Sequence, residues 1–168
     1  MEYSEYILST AIQEALNAGL PVPVTKIEPH IKYSNALTRL GTCTKDRRTG
    51  RYQITISRLI LDDSAAMKNT MMHELIHTLP GCMNHGKTFL RYAQIVNHRY
   101  GYSVSRTANL SECASAELHK EQIRRANYHF ICQCCGTEIF RQRSSNFTRH
   151  PERYRCSNCG KSEWIIAD

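Results

Sequence analysis

The run His73-Glu74-Leu75-Ile76-His77 constrains this chain more than any other feature of it. On a helix, side chains four apart lie one above the other, about 6 Å between their Cβ atoms. On a strand they would stand roughly 13 Å apart, too far to act on one ion. The segment therefore reads as a helix whose two imidazoles project from one face and share a metal. Glu74 lies about 100° further round the same helix. That offset puts its carboxylate beside the metal, in reach of a water bound there. Zinc lowers the pKa of such a water to about 7, which makes it a nucleophile at neutral pH. Met71, Met72, Leu75, Ile76 and Leu79 flank the motif, so the helix is expected to be mostly buried. The bland alternative is a surface helix with two incidental histidines. Two adjacent buried imidazoles without a partner would be costly, and the metal reading is preferred.

A zinc that does chemistry takes three protein ligands and keeps a fourth position open. The third must follow a chain reversal, which Pro80-Gly81 supplies. Cys82, His85 and His98 are the candidates downstream. Cys82 sits close to the turn and would favour a closed structural site, and His98 lies deep in the next helix. His85, eight residues after His77 and just before that helix, is favoured.

Around the motif, helical spacing of apolar residues over 3–18 predicts an opening helix, closed by Gly19 and Pro21. Residues 36–44 and 51–57 flank Lys45-Asp46-Arg47-Arg48-Thr49-Gly50 and read as a β-hairpin. Asp62-Asp63-Ser64 starts the motif helix, expected over 65–79. A further helix is expected over 87–99, with Phe89, Leu90, Tyr92, Ala93 and Val96 as its apolar stripe, then a loop over 102–110 and a polar helix over 111–126. An extended peptide is expected to pair with an exposed edge of the 51–57 strand.

From Tyr128 the texture changes to short runs between cysteine pairs. Cys132 and Cys135, then Cys156 and Cys159, form two C-x-x-C knuckles, each followed by glycine. Four thiolates at this spacing close a tetrahedron around a structural zinc, a ribbon. Cys134 offers an alternative register. Cys43, Cys82 and Cys113 read as buried or incidental thiols. The chain thus divides into an α+β domain over 1–126 and a zinc ribbon over 127–168, with two zinc ions expected, one at each site.

Between the knuckles, Arg141, Arg143, Arg149, Arg153 and Arg155 interleave with Phe140, Phe147 and Tyr154. Guanidinium groups pair with phosphates and aromatic rings stack on unpaired bases, so these arginines are candidate nucleic-acid contacts. The alternative is that the rings fill a thin core and the arginines solubilise it. The net charge of +7 suits a polyanionic partner but equally an ordinary basic surface. No apolar run approaches a membrane span, so no membrane partner is expected. The N-terminus lacks a basic n-region, so no secretory signal is expected. Eight cysteines then point to a reducing, cytoplasmic setting, nucleoid or nuclear if nucleic acid is bound.

The sequence resembles the SprT-like metalloprotease family, which includes bacterial SprT proteins and the eukaryotic Spartan protease. The matching residues are HELIH at 73–77 and His85-Gly86-Lys87-Thr88-Phe89, similar to that family's H-G-x-x-F/W motif, with a hairpin before the motif helix and a Cys-paired tail. The resemblance implies zinc ligands at His73, His77 and His85, a catalytic Glu74 and a minimal zincin fold. Spartan-type members further imply proteolysis of proteins crosslinked to DNA. The stretch Thr78–Asn84 is shorter than in many members and resembles the related WLM proteases. The expected function is therefore hydrolysis of peptide bonds by a Glu-activated, zinc-bound water. The rivals are a non-catalytic nucleic-acid-binding ribbon protein with a structural HExxH site, and an assembly factor built on the same scaffold.

Overall fold

The computed structural model describes residues 2–106 and 112–167. The end of the 102–110 loop and the side chain of Cys113 lie outside the described residues. The chain forms two compact units, Met1–Ser115 and Ala116–Asp168, and its architecture is mixed α+β.

In the first unit α1 spans Tyr3–Asn17 and buries Ile7, Leu8, Ala11 and Ala15, the stripe that its spacing predicts. Three strands follow: β1 (Lys32–Ser34), β2 (Gly41–Lys45) and β3 (Tyr52–Ser57). Along β3 the side chains of Tyr52, Ile54 and Ile56 are buried while Gln53 and Thr55 are half-buried, the period-2 pattern of a strand lying on a core. Helix α2 (Ser64–His77) starts where Asp63 caps it, its side chain accepting from Ala66 N–H. Met67, Met71, Met72, Leu75 and Ile76 bury it on more than one side. After a turn, α3 (Lys87–Tyr100) packs Phe89, Ala93 and Val96 into the same core and ends at Gly101, whose φ of 71° suits glycine.

The sheet corrects one expectation. Its order is β1-β3-β2, with β1 parallel and β2 antiparallel to β3. The 51–57 strand is therefore central and has no free edge; β2 and β1 are the edges. The hairpin is also shorter than expected at its first arm. Residues 36–40 run beside β3 as irregular chain, where Ser57 donates to Ala36 O through Oγ and to Leu40 O through its N–H.

In the second unit the later part of α4 (Glu112–Arg125) precedes a sheet of β4 (Tyr128–Cys132), β5 (Glu138–Arg141) and β6 (Trp164–Ala167), ordered β5-β4-β6 and all antiparallel. A short helix, α5 (Asn146–Arg149), carries Phe147 onto Phe130 and Trp164, with ring centroids 4.8 and 5.5 Å away. Trp164 anchors the end of the chain, its Nε1–H donating to Tyr154 O. Gly136 and Gly160, at φ 71° and 76°, make the tight turn after each cysteine pair. Among the described residues no helix is long and apolar enough to cross a membrane.

Candidate metal centre

The last turns of α2 present His73 and His77, and the chain then reverses through Gly81, at φ 73°, to bring His85 back beside them. His73 Nε2 lies 3.2 Å from His77 Nε2 and 2.9 Å from His85 Nε2. Three nitrogens aimed at one point with these separations come close to the ~3.3 Å edge of a tetrahedron built on a zinc–nitrogen bond. Phe89, fully buried, forms a common floor, its ring centroid 4.8–4.9 Å from each of the three imidazoles. The first turn of α3 thus holds the site from below, which gives the phenylalanine of His85-Gly86-Lys87-Thr88-Phe89 a physical role. Of the other two candidate ligands, His98 is exposed on α3 away from the cluster. Cys82 is buried with its thiol turned to Pro80 O.

Main-chain carbonyls set the tautomers. His77 Nδ1 is 2.6 Å from Cys82 O. His73 is hydrogen-bonded to the backbone of Ser105; its Nε2 faces the other two rings, which leaves Nδ1 for that carbonyl. A ring that donates through Nδ1 keeps a lone pair on Nε2, as a metal ligand requires. Burial also favours the neutral form of His73 and His77. It drives the pKa of His73 down to about 4, helped by the neighbouring His77 and His85 and opposed by Ser105. Burial lowers that of His77 as well.

Glu74 is 5% exposed. Desolvation raises its pKa to about 7, against a backbone hydrogen bond from Cys43 N–H on β2. In the metal-free chain its carboxylate therefore takes up a proton far more readily than an ordinary glutamate. Sequence reasoning missed Ser105 and Cys43 as contributors. Both act through the main chain, which every residue possesses, so no side-chain pattern announces them.

In the second unit the Sγ atoms of Cys132, Cys135, Cys156 and Cys159 all lie within 4.8 Å of one another. The Cys132–Cys159 and Cys135–Cys156 pairs are 3.5 and 3.6 Å apart. A zinc–sulfur tetrahedron has an edge of about 3.8 Å, so the four thiols are compatible with a zinc ribbon. Cys134 is exposed and outside this group. The knuckle amides of Cys159 and Asn158 lower the pKa of Cys156, favouring the thiolate. Arg141, Arg143, Arg149, Arg153 and Arg155 are all exposed. Of the interleaved rings, Phe147 fills the core and Phe140 stacks on His129 at 4.4 Å, whereas Tyr154 stays exposed.

A family model described as SprT-like family matches residues 12–112, more than half of the chain and all of the histidine cluster. No match to a curated protein or to a solved structure was found.

Proposed function

The chain belongs to the SprT-like family, and on that premise we propose that it is a zinc-dependent endopeptidase. The observation that carries this reading is the convergence of three Nε2 atoms next to a buried carboxylate that α2 places one residue from the first of them. A structural site has no use for a desolvated base at that position.

His73, His77 and His85 would hold the zinc. When bound, it supplies a Lewis acid for the scissile carbonyl and acidifies water. The chain's own groups do the rest. An extended peptide pairs with the outer edge of β2, through the main-chain groups that the Cys43–Glu74 hydrogen bond leaves free. Glu74 takes the proton from the attacking water at its carboxylate and delivers it to the leaving nitrogen as the C–N bond breaks. Phe89 and the apolar neighbours of α2 keep the carboxylate and the imidazoles in a low-dielectric setting that favours this transfer. The ribbon's five exposed arginines support contact with a polyanion, so DNA-associated or DNA-crosslinked proteins are the substrate class we favour, with the enzyme at the nucleoid or in the nucleus.

Glu74→Gln keeps the size and removes the base. It should retain two zinc ions per chain and lose hydrolysis of casein and of DNA-bound protein by about a hundredfold or more. A variant that cuts as fast as the wild type would take Glu74 out of the mechanism.

A further inference from the structure

Gly41 opens β2 directly over α2. A Cβ atom placed on it would lie 2.6 Å from Thr70 Cγ2 and 2.7 Å from both Cγ and Oε1 of Glu74. Backbone conformation does not call for glycine here, since Gly41 is not among the glycines with positive φ. The demand is for space. Two residues on, Cys43 N–H is hydrogen-bonded to the Glu74 carboxylate. We propose that Gly41 is a positioning residue for Glu74: by presenting bare backbone to α2, it lets β2 come near enough for the Cys43 amide to hold the carboxylate in place.

The surroundings decide which atom would yield to a side chain at position 41. β2 is held to β3 over its whole length, from Gly41 opposite Ile56 to Lys45 opposite Tyr52, and Leu40 O accepts from Ser57 N–H just before it. Thr70 is buried and β-branched, one turn before Glu74, with few rotamers open to it. The Glu74 side chain is the less restrained of the two neighbours, so an added methyl displaces the carboxylate. A shift of about 1 Å in a reacting group is enough to cost a hundredfold in rate.

The inference rests on Glu74 being the general base, and the test separates the two. Gly41→Ala should keep its zinc content and its KM and lose kcat by about a hundredfold. In metal-free protein with 13C-labelled glutamate, the carboxyl resonance that disappears in Glu74→Gln should move in Gly41→Ala. Cys43→Pro provides an independent route. The Cys43 N–H points at Glu74 and not into the ladder, so proline deletes that bond and leaves the pairing with β3. It should reproduce the loss of kcat. Wild-type kcat in a zinc-loaded Gly41→Ala, with Glu74→Gln inactive, overturns the role of Gly41 alone. Loss of zinc or of the melting transition in both variants would assign Gly41 and Cys43 to packing and overturn it equally. An active Glu74→Gln would remove the base itself.

Discussion

Glu74 and His73 are neighbours in sequence, and the same burial drives their proton equilibria in opposite directions. In the metal-free chain the Glu74 pKa rises from the ordinary 4.5 to about 7. Its contribution to stability is full below pH 4.5 and is lost as pH climbs through 7, because the folded state holds the proton longer. The His73 pKa falls from 6.5 to about 4. Its contribution is full above pH 6.5 and is lost as pH drops towards 4, because the unfolded state takes the proton first. The two slopes oppose each other between about pH 4.5 and 6.5, and the lowered pKa of His77 adds to the His73 side. Glu74→Gln should therefore uncover the histidine slope. Urea midpoints of the metal-free variant should rise with pH across that window more steeply than those of the wild type, and an unchanged profile would refute the opposition. At this scale the sequence was most readable: His73, Glu74, His77 and His85 were assigned from spacing, the chain reversal and the family motif, and the structure brings all three imidazoles together. Gly41 was not readable, because a steric demand made by residues 29 and 33 positions later leaves no local pattern.

Two asparagines hold the segment after α3. Asn97 grips it with two hydrogen bonds, donating from Nδ2 to Val104 O and accepting at Oδ1 from Val104 N–H, each 2.9 Å long. Asn69 on α2 accepts from Ser103 N–H at 2.7 Å. These bonds strap residues 103–105 across α2 and deliver the Ser105 backbone to His73. Outer partners of metal ligands typically account for a factor of ten to a hundred in metal affinity. Asn97→Ala should weaken zinc binding at the histidine site by about that factor in a chelator competition, with the cysteine site unaffected. The four longer helices were legible in advance to within about two residues, because their periodicity is local, whereas the one-turn α5 was not anticipated between the cysteine pairs. The sheet was less so. β1 has three residues and pairs in parallel with a strand more than twenty positions away, and nothing within Lys32–Ser34 signals that partner. Missing β1 is what made β3 look like an edge.

On the scale of the molecule the two units owe their stability to different sources. The first buries more than twenty apolar side chains drawn from α1, α2, α3, the sheet and the segments that connect them. The second has Phe130, Phe147, Cys132 and Cys156 as its buried apolar residues among those described, too few to order fifty residues without a crosslink. Cys156→Ala should accordingly cost the ribbon its zinc and its protection from proteolysis, while the first unit keeps its fold and its histidine-bound ion. Melting of both units together would contradict this division. The placing of β2 has a broader consequence. It presents five residues, about 17 Å of extended chain, beside Glu74. A target can align with such an edge only where its own backbone has let go of its internal partners. Cleavage then scales with the fraction of time the target segment spends open: a region that opens once in about a thousand encounters is cut about a thousandfold more slowly than the same sequence unfolded. Under the proposed protease function, intact proteins would be spared by their own folding free energy.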